Sequence, residues 1–193
     1  MRSQEIEIAG VPVVAIRVSF TGDLGWELHC DEGDQVRLYQ ALLDAGREIG
    51  AGPIGSRALM SLRLEKGYGS WGREYSPEYW PQEVHLDRLV KMEKEFLNKA
   101  AYADLMDNPP RETLVMLDVE DRGVDATGNE PIFLSDGTPV GRVSSGAYGY
   151  TVGKSLALAY LRAGTAGPGD TVQVAILGQA APATVLSEPP VDP

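Results

Sequence analysis

The chain has 193 residues, enough for one large domain or two small ones, and its 43% hydrophobic and 23% charged residues are an ordinary globular balance. A formal net charge of -11 argues against nucleic acid as a partner, which calls for a basic patch, and no apolar run approaches the roughly 18 residues that span a bilayer. The single cysteine, Cys30, excludes an internal disulfide, and Met1 to Glu5 lack the apolar segment of a secretory signal, so the expected setting is reducing and cytoplasmic.

Residues 11–20 read as a strand, with Ile16, Val18 and Phe20 on one face and Ala15, Arg17 and Ser19 on the other. Thr21 to Gly25 is a turn in which Gly22 and Gly25 free the backbone. Residues 26–30 return as a strand: Trp26, Leu28 and Cys30 share one face, Glu27 and His29 the opposite one. Asp34 is placed to cap a helix over about residues 35–48, with Val36, Tyr39, Leu42 and Leu43 as its buried stripe. Gly50-Ala51-Gly52-Pro53 ends it. Ser56 is placed to cap a second helix, with Leu59, Met60 and Leu62 as core positions and Gly67 as its stop.

Residues 69–83 read as loop, broken by Gly72, Pro77 and Pro81. A short strand is expected near Leu86 to Met92, and a helix from about Lys99 to Met106. Asp107-Asn108-Pro109-Pro110 is the best boundary, giving domains of residues 1–108 and 109–193. Beyond it the period becomes two. Val115, Leu117 and Val119 alternate, Ile132 to Leu134 is a short apolar strand, and Ser135-Asp136-Gly137-Thr138 is a hairpin turn into Pro139 to Ser144. Ser155 to Leu161, Thr171 to Leu177 and Pro182 to Leu186 complete the pattern. Five or six short strands with regular turns fit a small β-barrel or a sandwich.

Two stretches carry chemistry. One is Ser19-Phe20-Thr21-Gly22-Asp23-Leu24-Gly25-Trp26-Glu27-Leu28; the other runs from Gly55-Ser56-Arg57-Ala58-Leu59 through Arg63-Leu64-Glu65-Lys66-Gly67-Tyr68. By periodicity alone Glu27 is the solvent-facing residue of an alternating strand. Arg57, in the first turn of its helix, opposes the macrodipole. A guanidinium there either pairs with a nearby acid or serves a ligand's carboxylate or electron-rich ring edge. Arg63 and Glu65 are explained equally well by a structural ion pair.

In this order and at this separation the two stretches resemble the motif pair of the glycine-cleavage T-protein (aminomethyltransferase) family, above all the C-terminal region of dimethylglycine and sarcosine dehydrogenases. The likeness continues, more weakly, to nearly the end of the chain. It implies an α+β fold: a partial α/β folate-binding domain over residues 1–108, then a small C-terminal antiparallel β-barrel over 109–193. It implies tetrahydrofolate as cofactor. Glu27 would accept two hydrogen bonds, from the exocyclic amino group and the ring N–H of the pterin. Arg57 would line the same site, and Phe20 would offer a flat face where many members have a tyrosine. Two departures from the family pattern are Glu83-Val84-His85-Leu86, where relatives usually have a carboxylate, two small residues and a leucine, and Asn98, where a glycine is common.

The resemblance places the family's catalytic aspartate in a half of the domain upstream of the motif pair, and no aspartate here matches it, Asp23 included. The expected function is therefore the tetrahydrofolate-binding region of a one-carbon (aminomethyl or methylene) transferase, a fragment or subunit incomplete for catalysis. The alternative is a non-catalytic subunit or interaction module of a dimethylglycine- or sarcosine-type dehydrogenase or oxidase. The expected partners are a reduced folate and either the missing N-terminal half, a partner subunit or a second copy. The overall negative field repels the anionic folate tail, so local arginines must overcome it. No metal site is expected, since His29 and Cys30 point to opposite strand faces and His85 is remote. Gly67-Tyr68-Gly69 follows a helix and lacks a third glycine, so no dinucleotide fingerprint is present.

Overall fold

In the computed structural model, which describes residues 2–120 and 122–191, the chain opens with a strand absent from the sequence reading. β1 (Ser3–Ile8) alternates Glu5 and Glu7 with Ile6 and Ile8. It pairs antiparallel with β2 (Val11–Ile16), and β2 pairs with β3 (Glu27–His29). Ala9 and Gly10, at φ 51° and 75°, supply the two positive angles that a tight two-residue hairpin turn needs.

β2 stops at Ile16, short of residue 20, and the structure decides which of its two faces turns inward. Val11, Val13 and Ala15 are buried, and Val14 is exposed. The register explains this: Ile8 faces Val11, Ile6 faces Val13, and Leu28 faces Ala15, so the apolar side chains of all three strands share one surface. α1 (Gln35–Gly46) follows a 3-10 turn at Glu32–Asp34 and seats Leu38 on Val11 and Val13. Leu38, not the expected stripe, is the helix's buried apolar side chain; Val36, Tyr39 and Leu42 are exposed and Leu43 is half-buried. Asp34 flanks the helix as foreseen, but its carboxylate pairs with Arg37 at 2.9 Å and caps no backbone N–H.

The chain divides into two units, Met1–Leu59 and Met60–Pro193, so the division falls inside α2 (Ser56–Glu65). α2 ends as the glycine signal indicates. Gly67 is left-handed (φ 67°), its N–H donates to the Leu64 carbonyl (2.8 Å), and the Tyr68 N–H reaches the Arg63 carbonyl (2.9 Å). The side chains that α2 buries are Ser61, Arg63, Leu64 and Glu65, while Leu59, Met60 and Leu62 are only half-buried.

The stretch from Tyr68 to Asn98 is irregular. The strand expected near Leu86 to Met92 is absent. Pro81–Val84 is a 3-10 turn closed by left-handed His85 (φ 57°), and Asp87–Leu89 is another, so the backbone coils where extension was expected. α3 (Lys99–Met106) has the predicted bounds and is entered through left-handed Asn98 (φ 64°), a conformation asparagine tolerates better than most residues.

The last third is a closed antiparallel barrel, which decides against a sandwich. β4 (Glu112–Val119), β5 (Pro131–Phe133), β6 (Pro139–Gly149), β7 (Lys154–Arg162), β8 (Thr171–Ile176) and β9 (Gln179–Val185) close in the order β4-β7-β6-β5-β8-β9. Leu117, Val143, Ala157, Ala159, Val172 and Val174 help to fill the inside. Alternation turns Leu114, Met116, Leu156, Leu158 and Tyr160 outward, where they pack with Leu64 and Val84. Gly141 is required by contact: a Cβ there would fall 2.0 Å from the Tyr160 carbonyl oxygen.

Candidate functional site

Glu27 leaves β3 on the face it shares with His29, as the alternation predicts. The His29 Nε2 lies 3.4 Å from the Glu27 Oε2, and both side chains are more than half exposed. Ile16 and Val14 stand opposite them on β2, and Glu5 stands beyond Val14 on β1, so this face is acidic. His29 is the one side-chain partner of Glu27 among the described residues, which leaves the carboxylate open to further donors.

Phe20 is not on the strand. It lies at the start of a bend over residues 20–24, with its ring partly exposed. That bend is held locally: the Thr21 N–H donates to Ser19 Oγ (3.3 Å), and the Thr21 hydroxyl donates to Asp23 Oδ2 (3.2 Å). Arg17 closes the loop by donating to the Gly25 carbonyl (3.1 Å) while its guanidinium lies 4.9 Å from the centre of the Trp26 ring. It therefore anchors the residue before Glu27. Sequence reasoning missed Arg17; the available signal was a cation and an aromatic flanking one short turn. The guanidinium of Arg57, exposed in the first turn of α2, has no hydrogen bond or ion pair to any described residue.

All three expected residues thus belong to the first unit and all are solvent-facing, and no hydrogen bond or ion pair among the described residues joins them. Their chemistry fits the group the motifs imply. A pterin edge presents two adjacent N–H donors, and Glu27 offers a carboxylate open to both. Arg57 offers an unengaged guanidinium, and Phe20 an accessible aromatic face.

The second unit is organised by three buried carboxylates that the sequence did not reveal as such. Arg63 and Glu65 do not pair with one another. Glu65 accepts from the Thr151 N–H (2.7 Å) and hydroxyl (2.8 Å), tying α2 to the turn after β6. Arg63 reaches Glu74 (3.2 Å), which also accepts from the hydroxyls of Ser145 (2.5 Å) and Ser144 (2.7 Å) and from the Ser70 N–H (2.8 Å). Burial works to raise the Glu74 carboxyl, but those donors outweigh it and hold the group below the usual carboxylate range. Tyr160 donates to the Glu74 backbone carbonyl and stacks on Tyr79 with ring centres 4.0 Å apart.

Glu83 is fully buried and held at about 2, chiefly by the hydrogen bonds of Arg111. The Arg111 Nε and Nη2 each donate at 2.8 Å, one to either oxygen, and the backbone N–H groups of Arg111 (3.0 Å) and Trp80 (2.8 Å) add one more apiece. Arg111 in turn lies 4.5 Å from the Trp80 ring centre. Together these groups fasten the irregular segment after α2 to the barrel wall.

Residues 1–94 match the model of the GCVT N-terminal domain, and residues 113–192 match that of the glycine cleavage T-protein C-terminal barrel domain. The chain belongs to the glycine cleavage T-protein family. It is 39% identical to the mitochondrial dimethylglycine dehydrogenase of Mus musculus, over 98% of this chain and 22% of that protein. It is 36% identical to an aminomethyltransferase of Saccharopolyspora erythraea, over 95% of this chain and 50% of that protein. The crystal structure of the glycine cleavage system aminomethyltransferase T from Bartonella henselae superposes with a TM-score of 0.84 at 26% identity, covering 93% of this chain and 50% of that one. The chain therefore spans about half the length of the aminomethyltransferases it matches and about a fifth of dimethylglycine dehydrogenase. Among the described residues, no helix is long and apolar enough to cross a membrane.

Proposed function

We propose that this chain carries the tetrahydrofolate-binding region of a one-carbon transferase, in which an amine-derived aminomethyl or methylene group passes to the reduced folate. When bound, the folate supplies the nucleophilic nitrogens that accept the carbon. Glu27 accepts the two N–H bonds of the pterin edge and fixes the ring's orientation. Arg57 engages an electron-rich edge or a carboxylate of the ligand, and Phe20 covers a face. Their contribution to rate is positioning. The observation that carries this reading is Glu27: it lies in the stretch that resembles the family motif, on an accessible strand face, with its carboxylate open to further donors.

The test is a calorimetric titration of the purified chain with 5-formyltetrahydrofolate. Saturable binding is expected, weakened on the order of tenfold or more by Glu27→Ala and by Arg57→Ala, as for a lost charge-assisted hydrogen bond. No binding up to about 1 mM, or binding indifferent to both substitutions, refutes the assignment.

The missing N-terminal half, a partner subunit or a second copy is the partner this reading calls for. The first unit supports it by exposing the apolar side chains of Val14, Leu24, Trp26, Ile49 and Ile54 to water. In the alternative role, as a non-catalytic subunit of a dimethylglycine- or sarcosine-type dehydrogenase or oxidase, the same surface docks while folate binding is dispensable. The titration separates the two.

A further inference from the structure

A cavity of about 550 Å3 lies within the second unit, between the barrel and the segment that follows α2. Leu114, Met116 and Leu158 line it from β4 and β7, and Val84 from the 3-10 turn; all four are buried. Another wall is the stretch after β9. There the Leu186 N–H donates to the Met116 carbonyl (2.8 Å), and Pro189 rests on Gly67, where a Cβ would fall 2.7 Å from the proline ring. Backbone bonding and close packing make this wall part of the fold.

The charged lining residues have the opposite balance to the rest of the chain. Lys66, Arg88 and Arg162 face one carboxylate, Glu188, in a protein of net charge -11. Arg88 and Arg162 are exposed, and neither guanidinium has a hydrogen bond or ion pair among the described residues. The acid opposite Arg162 on β4, Glu112, is already committed to Arg142 at 2.9 Å. An apolar interior of this size with a few charged groups at its edge is the usual make-up of a small-molecule site. Phe20, Glu27 and Arg57 line no part of it, so the folate reading leaves it unused.

We infer that this cavity binds a small amphipathic carboxylate. The apolar body sits against Leu114, Met116 and Leu158, and the carboxylate meets the guanidinium groups of Arg88 and Arg162. A bare inorganic anion would leave the apolar lining wet, and an amphipathic amine would meet like charge. Selection therefore falls on a molecule with both features.

The probe is 4-phenylbutyrate, with 4-phenyl-1-butanol as its uncharged counterpart, followed by methyl NMR of the intact chain. Saturable shifts are expected at Leu114, Leu158 and Val185, with the alcohol binding several-fold more weakly. Arg88→Ala and Arg162→Ala should each weaken the carboxylate by about two- to fivefold, the size of an exposed ionic contact, and more so at low salt. Gly167→Trp should abolish binding. Gly167 lines the cavity, and a Cβ there meets nothing within 4 Å, so the backbone accepts the change. Glu27→Ala should leave the probe's affinity unchanged, which separates this site from the folate reading. The inference is overturned by an absence of saturable shifts up to about 10 mM, by equal affinity for the alcohol, or by binding that survives Gly167→Trp.

Discussion

Replacing Glu83 with glutamine tests how firmly the segment after α2 is tied to the barrel. The carboxyl is held at about 2 against an ordinary value of 4.5. At about 1.4 kcal/mol per pH unit, that difference corresponds to about 3 kcal/mol of folding stability at neutral pH. Breaking a buried ion pair usually costs about 3–5 kcal/mol. Arg111 keeps half its side chain in water and can rehydrate when its partner is lost, so the lower end applies. The sign follows from the depressed carboxyl. Its contribution is complete above the unfolded value of 4.5 and is lost as the pH falls toward about 2. Urea unfolding at a series of pH values is the assay. Trp80 is the reporter, read in a background carrying Trp26→Phe and Trp71→Phe, because its ring lies 4.5 Å from the Arg111 guanidinium. The stability gap between parent and Glu83→Gln should be about 3 kcal/mol at pH 7 and shrink steadily below about pH 4.5. A gap that stays constant from about pH 7 to about pH 3, or that never exceeds about 1 kcal/mol, refutes the reasoning.

Two further outcomes are expected. Asn98→Ala should destabilise by about 1 kcal/mol, because a Cβ-bearing residue without asparagine's local hydrogen bonding is strained at φ 64°, whereas Asn98→Gly should be neutral or stabilising; thermal melts would decide, and equal melting temperatures for the two variants would remove the argument. Sedimentation of the isolated chain at tens of micromolar should show self-association through the apolar side chains of the first unit; a monomer that binds no apolar dye would dismiss that surface as a contact.

The barrel was legible because its signals are local. Alternation in Val115 to Val119 and the turn at Ser135 to Thr138 need no knowledge of the rest of the chain, and α3 fell where its composition put it. β1 carried the same signal, since Ile6 and Ile8 alternate with Glu5 and Glu7, but the charges disguised a strand whose second face is open. Which face of β2 turns inward was not legible in the alternation, because both faces carry apolar residues. The core forms where Leu38 can reach, on Val11 and Val13. Glu27 and His29 on one face followed from period two alone. The clasps of Glu65, Glu74 and Glu83 were beyond reach for another reason. Several of their donors, Thr151, Ser145 and Arg111, lie 86, 71 and 28 residues away, and a buried acid looks like a surface acid until its donors are known.

The two sheets also differ in what they leave to chance. The barrel strands close on themselves and present no free edge. The three-stranded sheet has two, β1 and β3, each a template on which a foreign strand could grow an aggregate. β3 is only three residues long, too brief to guide such growth. β1 is twice that length, and Glu5 and Glu7 stand along it. A second copy aligning beside β1 would bring carboxylates against carboxylates, so the same charges that hide this strand in the sequence act as gatekeepers of its open edge.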